Sequence, residues 1–174
     1  MITIISGTNR KNANSFKIAK QYKDILQMKG QEADIIDLKN LPEDFLSTSF
    51  YENKRANKAF KPLMDQMKKC PKFVFIVPEY NGSFPGILKL FIDALEFPGT
   101  LKNKKCALVG LSSGVQGSAM AMSHLTDIFN YLGMHVLAQK PKLMGINDRM
   151  SKDRIADELG IQLLEEQAEA LINF

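Results

Sequence analysis

The sequence predicts a doubly wound α/β sandwich: a five-stranded parallel sheet in the order 2-1-3-4-5 with helices on both faces. Three observations predict it. Runs of β-type apolar residues and stretches of helical periodicity alternate five times along the chain. The runs Phe73–Val77 and Ala107–Leu111 are apolar without interruption, as expected of strands buried on both faces of a parallel sheet. No break in composition divides the 174 residues, so 1–174 is expected to form a single domain around that sheet.

The elements follow in order. Ile2–Ile5 is the first strand, and Ile18, Tyr22, Ile25, Leu26 and Met28 form the apolar face of a helix ended by Gly30. Ala33–Ile36 is the second strand. The stretch from Leu41 to Phe60, rich in Asn, Ser and Lys, is longer than an ordinary connection, and long loops in compact domains tend to carry function or disorder. Leu63, Met64, Met67 and the residues near Cys70 mark a helix stopped by Pro71. Phe73–Val77 is the third strand. It leads to a helix carrying Ile87, Leu88, Phe91, Ile92 and Leu95 that ends at Pro98–Gly99. Ala107–Leu111 is the fourth strand, followed by a helix with Met120, Met122, Leu125, Ile128, Phe129 and Leu132 that Gly133 ends. His135–Leu137 is the weaker fifth strand. A last helical pattern runs from Ile155 through Leu159, Leu163, Leu164, Ala168 and Leu171 to Ile172.

Composition excludes several functions. The net charge of +4, from 23 Lys and Arg against 19 Asp and Glu, is spread along the chain without interleaved aromatics. The densest basic stretch, "LKNKK" at 101–105, reads as a solvated loop, so no nucleic-acid partner is expected. No apolar run reaches the ~20 residues that span a bilayer. The N-terminus lacks the basic start and long apolar core of a signal peptide, so the chain is expected to be cytoplasmic with no membrane partner. Cys70 and Cys106 lie far apart and outside any metal-binding spacing, as do His124 and His135, so reduced structural thiols and no metal are expected.

In an open parallel sheet, ligands bind beyond the carboxyl ends of the strands where the strand order reverses. The loops after strands one, three and four meet there: "SGTNRKNANS" (6–15), "PEYNGSFPG" (78–86) and "SSGVQGS" (112–118). All three are polar, contain Gly, and lead into a helix N-terminus. Taken singly, each is also compatible with a strand-to-helix turn that binds nothing. The first is ten residues long, lacks the dinucleotide and P-loop fingerprints, and offers Thr8, Asn9, Arg10, Asn14 and Ser15 to an anion at a helix N-terminus. Ser15 or Asn14 is equally suited to cap that helix. In the second, Asn81–Gly82 reads as a tight turn with positive φ at Gly82, able to aim backbone N–H groups at the edge of a heterocycle. Tyr80 offers a flat wall, with Glu79 and Ser83 at its border. In the third, Gly114 and Gly117 permit close approach to a planar ring, and Ser118 is placed to cap the next helix.

Together these three motifs, in this order, resemble the NADPH-dependent FMN reductase family. Pro78–Ser83 followed by Pro85–Gly86 is the most specific piece, and Gly7, Thr8 and Arg10, then Asn14 and Ser15, match the family's first loop. The resemblance implies a flavodoxin-like fold, bound FMN, and NADPH or NADH as reductant. Electrons would pass to a small-molecule acceptor such as a flavin, quinone, azo compound or metal oxyanion. It implies that Thr8, Arg10, Asn14, Ser15 and Phe16 hold the FMN phosphate. Pro78, Glu79, Tyr80, Asn81, Gly82 and Ser83 would frame the isoalloxazine, while Ser112, Ser113, Gly114, Gln116 and Gly117 close on its other rim. No catalytic side chain is expected, because the flavin carries the chemistry. Ala13 stands where many members place Ser, so one phosphate contact is absent or falls to Asn12 or Asn14.

The resemblance also implies a homodimer or homotetramer, with Phe91, Phe97, Met120 and Met122 as a candidate contact surface. Arg10, Lys54 and Arg55 are candidate partners for a 2′-phosphate. The main alternative is a flavodoxin-type electron carrier, but such carriers resemble acidic proteins, whereas this chain has a pI near 9.0. A flavin-free α/β scaffold is a third possibility.

Overall fold

In the computed structural model, which describes residues 1–49 and 57–174, β1 (Ile2–Ser6) is buried along its length and pairs in parallel on both sides. Its neighbours are β2 (Ala33–Asp37) and β3 (Lys72–Pro78). β4 (Lys105–Leu111) lies beyond β3, and β5 (His135–Val136) beyond β4, all parallel. The order is β2-β1-β3-β4-β5, as the sequence predicts. Side chains alternate between faces along each strand. Phe73, Phe75 and Val77 of β3 face α3 (Lys61–Lys69), α4 (Gly86–Asp93) and α5 (Ala119–Tyr131); Val74 and Ile76 face α1 (Asn14–Met28) and α7 (Glu158–Asn173). A short helix, α2 (Phe45–Thr48), adds Phe45 to the first of these cores. Lys54 and Arg55, and part of the Leu41–Phe60 stretch, lie outside the described residues.

The fifth strand position differs from the expectation. Instead of one strand over His135–Leu137, two short strands share the edge of β4. β5 pairs with Lys105 and Cys106, and β6 (Lys142–Leu143) pairs with Gly110 and Leu111. Pro141 has no N–H to offer a continuous ladder, and the segment bulges there. Leu108 O, opposite the bulge, is instead reached by the buried side chain of Gln167. Its Nε2 donates to Leu108 O and Gln139 O, both at 2.9 Å. The Tyr22 hydroxyl donates to Gln167 Oε1 at 3.1 Å, and burial pushes that phenol well above its ordinary pKa, so it stays protonated.

The final helix also begins later than its periodicity predicts. Ile155 belongs to a hairpin, β7 (Met150–Ser151) with β8 (Arg154–Ile155), turned by Lys152 and Asp153 at positive φ. α6 (Ile146–Arg149) precedes the hairpin. The amide of Gln21 fastens it to α1, donating to Ile155 O at 3.1 Å and accepting from Ile155 N at 2.7 Å. Asp157 then caps α7 through Gly160 N at 2.8 Å. Upstream, α4 ends at Asp93, before Leu95 and Pro98.

Gln167→Leu strands the buried Leu108 carbonyl, the part-buried Gln139 carbonyl and the Tyr22 hydroxyl. It should lower stability by about 2–3 kcal/mol, read as a reduced urea midpoint at unchanged m-value.

Candidate functional site

At the carboxyl end of β1 the chain leaves through Gly7, whose N–H donates to Ile76 O at 3.0 Å. A Cβ at Gly7 would lie 2.8 Å from that carbonyl, so the loop is pressed against β3. It then reaches α1 with Ala13 at the N-cap and no side chain capping the helix. The expected caps are engaged elsewhere or absent: Ser15 Oγ lies 3.1 Å from Ser6 Oγ, and Asn14 makes no capping bond. No acidic residue stands in the first turn. The helix therefore presents open N–H groups and the positive end of its dipole, with Arg10 and Lys11 in the preceding loop.

The second loop is a two-residue hairpin. Tyr80 N donates to Ser83 O at 2.8 Å and Ser83 N to Tyr80 O at 3.0 Å. Asn81 and Gly82 both have positive φ, at 50° and 74°, where only Gly82 is expected to. This is the geometry that Asn-Gly pairs favour in primed turns. Ser83 N–H is thus held within the turn, and the outward backbone donors are those of Asn81 and Gly82. Tyr80 OH reaches Thr8 Oγ1 at 2.8 Å, and Thr8 Oγ1 also accepts from Arg10 N at 3.3 Å. The first two loops are thereby joined.

The third loop folds back on itself. Ser112 Oγ accepts from Gly117 N at 2.8 Å and donates to Gly114 O at 2.9 Å. A Cβ at Gly110 would collide with Gly117 O, and one at Gly117 would meet Lys142 Cβ at 2.8 Å. The close approach that Gly117 permits is therefore to β6; Gly114 faces open space. Ser118 sits at the N-cap of α5 but does not cap it, and its buried hydroxyl has no partner. Glu79, from the second loop, accepts from Ser118 N at 3.2 Å and serves that helix end instead. Ser83 Oγ lies 2.9 Å from His124 Nδ1, one and a half turns further along α5.

These loops surround a cavity of about 350 Å³. Of the residues expected in the site, Thr8, Arg10, Asn14, Ser15, Pro78, Glu79, Tyr80, Ser112 and Ser113 line it. Asn81, Gly82 and Ser83 lie in the adjoining turn, and Gly114, Gln116 and Gly117 belong to the folded third loop, outside the lining. Phe16 faces a neighbouring recess with Lys17, Lys20 and Lys39. Sequence reasoning did not single out Lys11, Leu111, Ile146 or Asn147, which also line the cavity. Ile146 and Asn147 follow β6 and open α6, and the polar "GIND" after Leu143–Met144 is the signal that marks a fourth connection at this edge, the Gly145 turn into α6. Gly145 N donates to Gly114 O at 2.9 Å and Ile146 N to Ser112 O at 3.0 Å, joining that loop to the third.

Known proteins share this family and fold. The family model described as NADPH-dependent FMN reductase matches residues 1–145. An NAD(P)H-dependent FMN reductase of Pseudomonas aeruginosa is 29% identical over 150 residues, covering 82% of this chain and 77% of that protein. A probable NADPH:quinone oxidoreductase of Oryza sativa subsp. japonica is 25% identical over 181 residues, covering 98% and 88%. Among solved structures, a flavoenzyme NAD(P)H:(acceptor) oxidoreductase from Paracoccus denitrificans superimposes with a TM-score of 0.77 at 21% identity. It covers 99% of this chain and 94% of that one, and shows the shared fold.

Gly110→Ala forces the third loop off β4. The strain should cost about 1–3 kcal/mol and change the chemical shifts of Ser112–Gly117 more than those of Asn9–Ser15.

Proposed function

The chain belongs to the NADPH-dependent FMN reductase family, and from that premise we propose how this fold acts as an FMN-dependent NAD(P)H oxidoreductase. Residues 1–174 work as one flavodoxin-like domain that takes hydride from NADPH or NADH and passes electrons to a small acceptor. The relatives named quinone reductases favour a quinone as that acceptor. The observation that carries the proposal is the uncapped N-terminus of α1, free of first-turn carboxylates and preceded by Arg10 and Lys11. A helix end in that state fits a phosphate dianion.

Asn14 and Ser15 would meet the phosphate through backbone N–H groups, and Arg10 through its guanidinium. Thr8 would act by holding Tyr80, with Phe16 at the outer edge of the cradle. Pro78, Glu79 and Tyr80 would form one wall of the ring site and Ser112–Ser113 the other, with Gly114, Gln116 and Gly117 shaping the third loop. Bound FMN supplies the hydride-accepting and electron-donating chemistry. The protein's part is to hold the ring and to place the N–H groups of Asn81 and Gly82 where negative charge develops. No side-chain nucleophile or acid is called for. The reductase relatives do not favour the electron-carrier alternative.

The described residues include no helix long and apolar enough to cross a membrane, in keeping with action in the cytoplasm. We place the contact between copies, in a homodimer or homotetramer, at the C-terminal ends of α4 and α5. There Phe97 and Tyr131 stack, 67% and 79% exposed, beside an apolar groove of about 560 Å³. Two of the residues expected at that contact, Phe91 and Met122, are buried in the protein's own core, whereas Met120 and Phe97 are exposed.

FMN added to the purified protein should remain bound after desalting and bleach anaerobically with NADPH or NADH, the colour returning with air or quinone. Retained FMN that no nicotinamide bleaches would count for the carrier. Arg10→Ala should weaken FMN binding by roughly tenfold or more, the value of one charge-assisted contact. Tyr131→Glu should lower the molar mass measured by light scattering if the groove is the contact between copies.

A further inference from the structure

We infer that His124 is a positioning residue, which holds the Tyr80–Ser83 turn on α5 and thereby sets where the Asn81 and Gly82 N–H groups point. The inference rests on the reading of the crevice as an FMN site. α5 is a rigid support, because Ala121, Met122, Leu125 and Phe129 bury one face of it in the core. His124 stands on its solvent side and meets Ser83 Oγ through Nδ1 at 2.9 Å. The same loop is tied to α5 at its start, where Glu79 Oε2 accepts from Ser118 N at 3.2 Å. Ser118 and His124 are six residues apart, about 9 Å along a helix. The two bonds therefore fasten the loop on either side of the turn.

Between them the hairpin closes on itself through two backbone bonds, Tyr80 N to Ser83 O and Ser83 N to Tyr80 O. Those bonds fix the shape of the turn but not its tilt relative to the sheet. The tilt is set by Tyr80 OH on Thr8 and by Ser83 Oγ on His124. Removing the imidazole takes away the side-chain tether of Ser83 to α5, leaving the exit side held by Phe84, which packs against the core, while the core face of α5 stays packed.

The test is a double-mutant cycle with Ser83→Ala, His124→Ala and the two combined. FMN affinity is read by fluorescence quenching, and amide exchange of residues 81–83 is read in the FMN-free protein. Each single variant should bind FMN roughly 3- to 10-fold more weakly, within the usual range for coupled contacts. The double variant should be no weaker than either single one. His124→Asn, whose amide can occupy the Nδ1 position, should restore most of the affinity. The visible absorption envelope of bound FMN should shift in His124→Ala at unchanged Tm, which a merely structural role would not produce. Independent, multiplying losses in the double variant, or affinity unchanged in His124→Ala, would overturn the inference. If the unsubstituted protein binds no FMN, the FMN reading of the crevice fails. Amide exchange then decides: equal acceleration at 81–83 in both single variants supports the tether, and unchanged exchange overturns it.

Discussion

β1 pairs with β2 on one side and β3 on the other, so the chain leaving β2 must cross β1 before the sheet can continue. Right-handed crossovers in a parallel sheet place successive helices on opposite faces when the direction of winding reverses. α1 therefore lies on one face, with α3, α4 and α5 on the other. At the reversal the loops after β1 and β3 diverge, and the space between them is the cavity. Gly7 N–H bonded to Ile76 O, and Glu79 N–H to Leu111 O, extend the sheet's pairing into the loops. The crevice is thus a continuation of the sheet.

Side chains complete this framework where the backbone cannot. Gln167 supplies a donor where the bulge before Pro141 removes a strand partner from Leu108 O. Gln21 pairs with both the N–H and the carbonyl of Ile155, and Glu79 takes the N–H of Ser118 at a helix end that Ser118 itself does not cap. These partners lie 59, 134 and 39 residues apart in sequence. That distance explains which parts were legible beforehand. Apolar runs, helix faces and the ends at Gly30 and Gly133 follow from local patterns. The division of the fifth strand, the hairpin before α7 and the cap supplied by Glu79 depend on residues that meet only after folding. The first three loops announced themselves by polar, Gly-bearing composition. The fourth connection, the Gly145 turn into α6, is short and lies beyond the motifs that carry the resemblance, so Ile146 and Asn147 were missed.

The hydroxyls in the crevice show the same division of labour at close range. Ser15 bonds Ser6, Thr8 bonds Tyr80 and the N–H of Arg10, and Ser112 bonds Gly114 and Gly117. Residues whose chemistry suggests direct ligand contact are instead struts between loops. The loops also leave main chain open: the first N–H groups of α1 and, in the adjoining turn, those of Asn81 and Gly82. Main-chain donors lose no side-chain entropy when they bind, and they cannot swing away from their target. A phosphate and the polar edge of a planar ring are both acceptor-rich, so a frame of fixed N–H groups braced by hydroxyl struts suits them better than flexible side chains would. Arg10 and Lys11 are exposed and long, and they stand where charge can be added after the rigid donors have set the position. On the proposed FMN reading, recognition would depend on the angles between loops, and the residues that set those angles would matter to binding as much as those that touch the ligand.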